Sequence, residues 1–370
     1  MINLQLKASF NTSNEPFVVR LFDNRRLNEQ LENDPSNAYF TSIKNDELIC
    51  TSQFGKFTIY INEGINLHND VVICYPTKGI IDRFFRSDSR HNTILFTEKC
   101  DERCVMCSQP PKEIDNTWRF PLFEEALLLV KENSVIGISG GEPTLYKKQL
   151  LDMIEAVSHK RPDISYHILS NCQHLVKEDI QRLETIQKKT TITWGIPLYA
   201  TSSEQHDLIV GKPGAFNRLI DNLFILASTG ATIELRTVLT GLNAVELPKL
   251  AMFISNHIPF ISIWAIMAME PIGFAKANRE KVFFDHTIFP HPLNSALDIC
   301  EIRNVNVTLY NFPRCTIAEK NRKYCAQSIS DWKNKFIPEC NGCIEKNSCS
   351  GFFEWYNKKW SWEGIQKITN

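Results

Sequence analysis

The chain has 370 residues, 41 Lys plus Arg against 42 Asp plus Glu, and a formal net charge of -1. Apolar residues at 43% and charged residues at 22% are the proportions of a folded globular protein and exclude wholesale disorder. The near-neutral balance argues against a nucleic-acid polymer as partner, because binding a phosphate backbone usually demands a basic surplus. At roughly 100–200 residues per domain the length allows two or three domains.

In chain order, the start MINLQLKASF lacks the apolar stretch of a signal peptide. No apolar run reaches the ~18–20 residues of a membrane helix. A cytoplasmic protein without a membrane partner is expected. Short β-prone pieces follow, FVVRLF, KFTIYI and DVVICYP, separated by turn-rich NTSN, NDPSN and HND. They predict a small β-rich N-terminal domain over 1–88, of four to six strands.

From about 91 to 270 apolar strand candidates alternate with helical periodicity. The strands are NTILFT (92–97), VIGISG (135–140), SYHILS (165–170), TITWGIPLY (191–199), TIELRTVLT (232–240) and ISIWAIMAM (261–269). FEEALLLVKEN, KKQLLDMIEAVSHK, KEDIQRLETIQKK, AFNRLIDNLFILAST and ELPKLAMFISNHI lie between them with 3.6-residue spacing. Such alternation requires a parallel sheet covered by helices. Six units, two short of a full barrel, predict a partial (β/α)6 barrel over 89–274. The remainder, 275–370, begins with a helix (NSALDICEIRN) and a strand (VNVTLY) and becomes cysteine-bearing loop.

Chemistry in such barrels sits at the C-terminal ends of the strands, and unusual residues collect there. Cys100, Cys104 and Cys107 follow the first strand, and Gly140-Gly141-Glu142-Pro143 the second. Ser170 and Asn171 end the third. Glu204, His206 and Asp207 follow the fourth, Arg236 lies in the fifth, and Glu270-Pro271 follows the sixth.

The chain has twelve cysteines. Disulfides are disfavoured in the cytoplasm, so clustered cysteines there point to metal or redox chemistry. Cys50, Cys74, Cys172 and Cys300 are scattered and read as buried thiols. Cys100-x3-Cys104-x2-Cys107 offers three thiolates on one loop. A four-iron cluster normally takes four cysteines, so three leave one iron open to a ligand. The alternatives are a zinc site, which prefers paired CxxC donors, or three incidental thiols. Cys340-x2-Cys343-x5-Cys349 forms a second group, with Cys315 and Cys325 upstream.

CxxxCxxC after the first strand and GGEP after the second resemble the radical S-adenosylmethionine (radical SAM) superfamily. That resemblance implies a SAM-binding 4Fe-4S cluster on Cys100, Cys104 and Cys107. It also implies reductive cleavage of SAM to a 5′-deoxyadenosyl radical that abstracts hydrogen from a substrate. Met106 stands where many members carry an aromatic residue beside the adenine. By the same resemblance Gly140, Gly141, Glu142 and Pro143 meet the SAM amino group, Ser170 and Asn171 lie near the ribose, and Arg236 near the carboxylate. Ser170 and Asn171 equally fit a strand-end turn, Arg236 needs some anion on its apolar strand, and His206 with Asp207 fit either a substrate face or a loop surface. No catalytic acid or base is assigned.

The second cysteine group resembles the SPASM- or twitch-like auxiliary module of peptide-modifying radical SAM enzymes. It implies a second, auxiliary 4Fe-4S cluster on Cys315, Cys340, Cys343 and Cys349, with Cys325 as the alternative fourth ligand and a four-cysteine zinc site as the rival. SRHNTILFTEKCDERCVMCSQPP (89–111) and SISDWKNKFIPECNGC (328–343) resemble the radical SAM maturase family of the His-Xaa-Ser peptide system (HxsC-like). That implies a ribosomally synthesised precursor peptide as substrate, a sister radical SAM maturase, and a flavodoxin- or ferredoxin-like electron donor. The N-terminal domain is expected to cap the barrel or to offer a strand edge to a precursor leader. Two other readings stand beside this one: a radical SAM enzyme for a small molecule or nucleoside, and a non-catalytic zinc-bound peptide-binding scaffold.

Overall fold

A computed structural model describes residues 4–12, 14–26, 34–44, 46–62, 64–327, 335–357 and 362–369. The SISDWKN stretch at 328–334 lies outside the described residues.

The first seven strands are β1 (Gln5–Thr12), β2 (Phe17–Asp23), β3 (Asn37–Lys44), β4 (Glu47–Ser52), β5 (Gly55–Tyr60), β6 (Val71–Tyr75) and β7 (Ile80–Phe85). They close into a barrel in the order β1-β5-β4-β3-β2-β6-β7. Alternation places Leu6, Ala8, Leu48, Cys50, Phe57 and Ile59 inside. β6 is buried on both faces: Val72 and Cys74 fill the small barrel while Val71, Ile73 and Tyr75 join the main core. Closure uses every strand edge in pairing. Among the described residues the domain therefore has no free edge, and the expected β-augmentation of a leader there is corrected. The strand count also exceeds the expected four to six.

The second layer is a parallel sheet of β8 (Asn92–Thr97), β9 (Val135–Gly140), β10 (Ser165–Leu169), β11 (Ile192–Pro197), β12 (Thr232–Leu239), β13 (Ile263–Ala268) and β14 (Val307–Tyr310). The strands lie side by side in chain order. Its helices are α1 (Phe120–Leu129), α2 (Lys147–Lys160), α3 (Ile180–Gln187), α4 (Ser203–Val210), α5 (Ala215–Ser228), α6 (Leu247–His257), the short α7 (Gly273–Ala277) and α8 (Arg279–Val282), and α9 (His291–Arg303). The sheet thus has seven strands where a (β/α)6 barrel is expected. β14 pairs parallel with β13 from Trp264↔Val307 to Met267↔Tyr310, and α9 buries Leu293, Ala296, Leu297 and Cys300 in the main core. A boundary at 274/275 cuts this seventh unit from the sheet it completes. β14 is the strand expected at VNVTLY, but a local pattern of four residues does not show which sheet it joins.

Along each strand one face packs under the helices and the other lines the concave side. In β10, Tyr166 and Ile168 are buried while His167 and Leu169 are half-buried. α1 joins the two layers. Phe123 stacks on Phe84 of β7 (ring centroids 5.2 Å apart, planes 7° apart) and Phe120 on Phe96 of β8 (4.4 Å, 6°), which fixes the small barrel to the outer side of the sheet.

Candidate functional site

Cys100, Cys104 and Cys107 lie on the loop leaving β8, all half-buried. The loop is held by backbone hydrogen bonds from three directions. On the β9 side, the Gly141 N–H donates to the Thr97 carbonyl (2.8 Å) and the Glu142 N–H to Lys99 (2.7 Å). On the α4 side, the Arg103 N–H donates to Val210 and the Val105 N–H to Ile209, both 2.9 Å. On the α7 side, the Phe274 N–H donates to Cys107 (2.8 Å) and the Asn278 amide to Val105 (2.8 Å). A Cβ at Gly140, where φ is +143°, would stand 2.1 Å from the Thr97 carbonyl oxygen. One at Gly141 would stand 2.0 Å from that of Lys99. The glycine pair is required here because two backbones touch, and the closest neighbour is the cysteine loop.

Glu142 is fully buried. Its carboxylate accepts from the Thr144 N–H (2.8 Å), the Ser170 hydroxyl (2.9 Å) and the Asn171 N–H (2.5 Å), and from the Thr144 hydroxyl. Burial pushes its pKa up, against those four donors. The Asn171 amide in turn donates to Asp101 (2.9 Å), which also meets His174 (3.0 Å) and Lys212. Burial pushes Asp101 up, but hydrogen bonds from His174, Lys212 and Asn171 outweigh it and hold the carboxyl well below its usual range. Glu142, Ser170 and Asn171 thus bind one another and the cysteine loop. The contact expected of the Glu142 carboxylate with a ligand is taken by protein donors.

Met106 is buried in an apolar cluster with Tyr199, Ile209, Val210 and Met269, so its side chain underpins the loop. The helix α4 was not expected. Ser202 caps it by accepting from the Gln205 N–H, and Gly211 ends it in a left-handed conformation. His206 consequently lies inside: its Nδ1 accepts from the Tyr199 N–H (3.3 Å), and burial pulls its pKa down to about 4. Asp207 accepts from the N–H groups of Gly214 (2.5 Å) and Phe216 (2.8 Å) at the start of α5. His206 is thus buried and Asp207 is bound to the start of α5.

Arg236 finds its anion on its own strand, in Glu234 two residues before, and reaches the Met267 sulfur at 3.2 Å. His167 of β10 approaches Glu234 at 3.6 Å. Gly195 between them makes room, since a Cβ there would lie 3.0 Å from both Arg236 Cδ and His167 Nε2. These polar residues line the concave face, apart from the hydrogen-bonded group around Glu142.

The thiols are held in the neutral form in the metal-free chain. Burial pushes Cys100 up to about 12. Cys104 is raised by burial and then by Glu102, Cys107 and Cys100. Burial also raises Cys107, whose thiol donates to the Gln109 carbonyl at 3.1 Å. Glu102, beneath them, is pushed up to about 8 by burial, Asp101 and Glu142. A nucleophilic cysteine needs the opposite, a depressed pKa. Three thiols on one loop are the donor type an iron–sulfur centre takes, and they would ionise only as a metal supplied positive charge.

In the tail, Cys315, Cys340, Cys343 and Cys349 line one cavity of ≈ 360 Å³ with Pro313, Arg314 and Phe352. Cys325 is absent from that lining. It sits beside β14, where Leu309 bridges to it. The Cys349 sulfur accepts from the Arg314 N–H (3.3 Å) and the Gly351 N–H (3.4 Å), and Arg314 is locked by Glu345 at 2.9 Å. The chain end covers the cavity: the Ile344 N–H donates to Ile368 (3.0 Å), and the Glu363 N–H to Asp285 (2.8 Å). Among the described residues no group of three or more His, Cys, Asp or Glu side chains converges on one metal-ion position.

Residues 94–254 match the family model of the radical SAM superfamily. Over this stretch the chain is similar to radical SAM enzymes. The chain is 24% identical over 164 residues to the antilisterial bacteriocin subtilosin biosynthesis protein AlbA of Bacillus subtilis (strain 168), covering 44% of this chain and 36% of that one. The chain thus spans about a third of the length of that curated relative. Among solved structures, native anSMEcpe with bound AdoMet and Cp18Cys peptide superposes with a TM-score of 0.52 at 12% identity, over 75% of this chain and 92% of that one. The same protein with AdoMet alone gives the same values. The radical SAM fold therefore extends beyond the matched stretch. The Cys loop, the Gly-Gly turn and the Glu142 knot all lie within the stretch that matches this family model.

Sequence reasoning missed Asp101, Lys212 and His174. Asp101 lies inside the cysteine motif, at a position whose side chain the motif leaves open. Lys212 is 111 residues away in the chain, and only the α4–α5 turn brings it back. No helix among the described residues is long and apolar enough to cross a membrane.

Proposed function

We propose that the protein is a radical SAM enzyme that modifies a ribosomally synthesised precursor peptide, of the His-Xaa-Ser type, with a second cluster in its tail. The observation that carries this is the pairing of two thiol sets in one chain: three on a clamped loop at the strand ends and four around an enclosed cavity. In this reading Cys100, Cys104 and Cys107 hold a 4Fe-4S cluster and leave one iron for SAM. Cys315, Cys340, Cys343 and Cys349 hold an auxiliary cluster completely, and Cys325 stays a structural thiol. When bound, the first pair of groups supplies one-electron cleavage of SAM and a 5′-deoxyadenosyl radical for hydrogen abstraction. The protein's share is to fix and to shield. The backbone clamps hold the loop, Met106 seals it from below, and Glu142 with Ser170 and Asn171 locks the rim around it. Gly140, Gly141 and Pro143 shape the floor on which SAM rests, and the Arg236–Glu234 pair presents charge to its polar end.

A peptide substrate is supported by the relative, whose role is in the biosynthesis of a bacteriocin, and by the fold neighbour that holds a peptide beside AdoMet. The stretch 89–111 supports the His-Xaa-Ser (HxsC-like) subtype, with its sister maturase and a flavodoxin-like donor as partners. We divide the chain into the closed barrel, the seven-stranded radical SAM sheet and the cysteine-bearing tail. Anaerobic reconstitution with iron and sulfide, then dithionite and SAM, tests the enzyme. 5′-Deoxyadenosine is expected, and its absence with seven to eight irons bound overturns the assignment. Mass spectrometry of a His-Xaa-Ser precursor co-expressed with the protein tests the substrate: an unchanged mass alongside active SAM cleavage points to a small molecule or nucleoside. A colourless, zinc-rich preparation points to the scaffold.

A further inference from the structure

A second cavity lies on the same rim and has no part in the site above. It encloses ≈ 600 Å³ between the ends of β12, β13 and β14 and the returning tail. Ala268 and Met269 form part of its floor, and seven of the residues around it are aromatic, among them Phe284, Phe352 and Trp362. Among the described residues no Asp, Glu, Lys or Arg lines it. Its histidine, His286, is bonded to Thr316 at 2.9 Å and is pulled down to about 4 by burial, so it is neutral near pH 7.

Its position is as informative as its lining. Met269 shares a buried apolar cluster with Met106 of the cysteine loop. On the opposite side Phe352 lines both this cavity and the four-cysteine cavity. The space therefore lies between the two thiol sets. Outside the mouth, Phe284 contacts Phe289 (6.4 Å between centroids), and Phe289 is 61% and Ile288 45% exposed. The apolar surface continues past the opening.

We propose that this cavity is the subsite for one large apolar side chain, aromatic by preference, of the substrate peptide. The proposal rests on the peptide reading above and adds which residue type the enzyme selects. A charged or phosphate-bearing group would lose its hydration there without a counter-charge. An aromatic ring gains burial together with edge and face contacts. The strip formed by Phe289 and Ile288 suits an extended chain that runs on beyond the anchored residue.

The test uses the full-length, cluster-loaded protein and two probes, acetyl-Ala-Phe-Ala-amide and acetyl-Ala-Lys-Ala-amide, titrated by calorimetry. The Phe peptide is expected to bind at least tenfold tighter. Ala268→Phe fills the floor and Phe284→Ser removes a half-buried wall, and each is expected to weaken the Phe peptide about tenfold. Iron content and circular dichroism show whether each variant is folded. If Ala268→Phe does not fold, Phe284→Ser decides. Equal affinity for the two peptides, or undiminished Phe-peptide affinity in the folded variants, overturns the subsite. Indole binding without binding of either peptide overturns the peptide occupant. A precursor modified equally by wild type and both variants leaves the peptide reading standing and overturns the subsite alone.

Discussion

The two cysteine regions are built on opposite principles. The Cys100–Cys107 loop is held from β9, α4 and α7 by backbone hydrogen bonds that need no metal. The tail around Cys315, Cys340, Cys343 and Cys349 consists of turns and short 3-10 segments, with backbone bonds that mostly reach only three residues back, such as Cys343 N–H to Cys340 and Cys349 N–H to Lys346, around a cavity. A loop that presents an open metal position must be rigid beforehand, because the metal's remaining bonds go to a ligand. A tail whose thiols all bind can let the metal act as its staple.

Cysteine replacement separates the two most sharply. Cys104→Ala is expected to abolish 5′-deoxyadenosine formation while leaving the melting temperature within a few degrees. Cys340→Ala is expected to lose about four irons and to open 335–357 to protease, with SAM cleavage retained. Equal melting of both variants would erase the contrast. Iron analysis, limited proteolysis and thermal melts read all three quantities.

Gly140→Ala attacks the rigid side. Its Cβ meets the Thr97 carbonyl at 2.1 Å and its φ is +143°, so a loss of about 3–4 kcal/mol is expected in urea denaturation. A loss below about 1 kcal/mol would show that the Gly-Gly turn does not hold the loop.

Acid sharpens the tail side. His286 packs against Phe312 and Trp362 and is pulled from 6.5 to about 4 by burial. The unfolded chain takes the proton first, so its contribution is complete above pH 6.5 and is lost as the pH falls toward 4. Up to about 3 kcal/mol is at stake. Denaturation near pH 7 and pH 5 should show a drop in wild type that His286→Gln flattens, and an unaltered pH slope in that variant counts against it. The smallest effect is expected from Cys325→Ser. Burial pushes that thiol up to about 12, and it does not line the four-cysteine cavity. About 1 kcal/mol of stability and no iron should be lost, whereas loss of the auxiliary irons would make Cys325 a ligand.

The alternation of strands and helices from β8 to β13 was legible because apolar period changes from 2 to 3.6 leave a trace in every unit. β14 was legible as a strand at VNVTLY, but not as the seventh member of this sheet. The cysteine motif and the Gly-Gly-Glu-Pro turn were legible as residue types. Which atoms they face was not: Glu142 turns inward to Thr144, Ser170 and Asn171, and Arg236 to Glu234. Nor was it legible that β1 and β7 would meet to close the small barrel.

The sequence alone determined the donor inventory and its spacing, since three thiols within eight residues must share a loop whatever surrounds it. It also determined the layer type, because hydrophobic periodicity is a local property. Tertiary structure decided the partners. The pairing of Asp101 with Lys212, the inward turn of Glu142, the choice of Cys315 over Cys325 around the tail cavity, and the aromatic-lined pocket between the two thiol sets all join residues far apart in the chain. Those contacts depend on how strand ends and helices come together in space, which no local window of residues encodes.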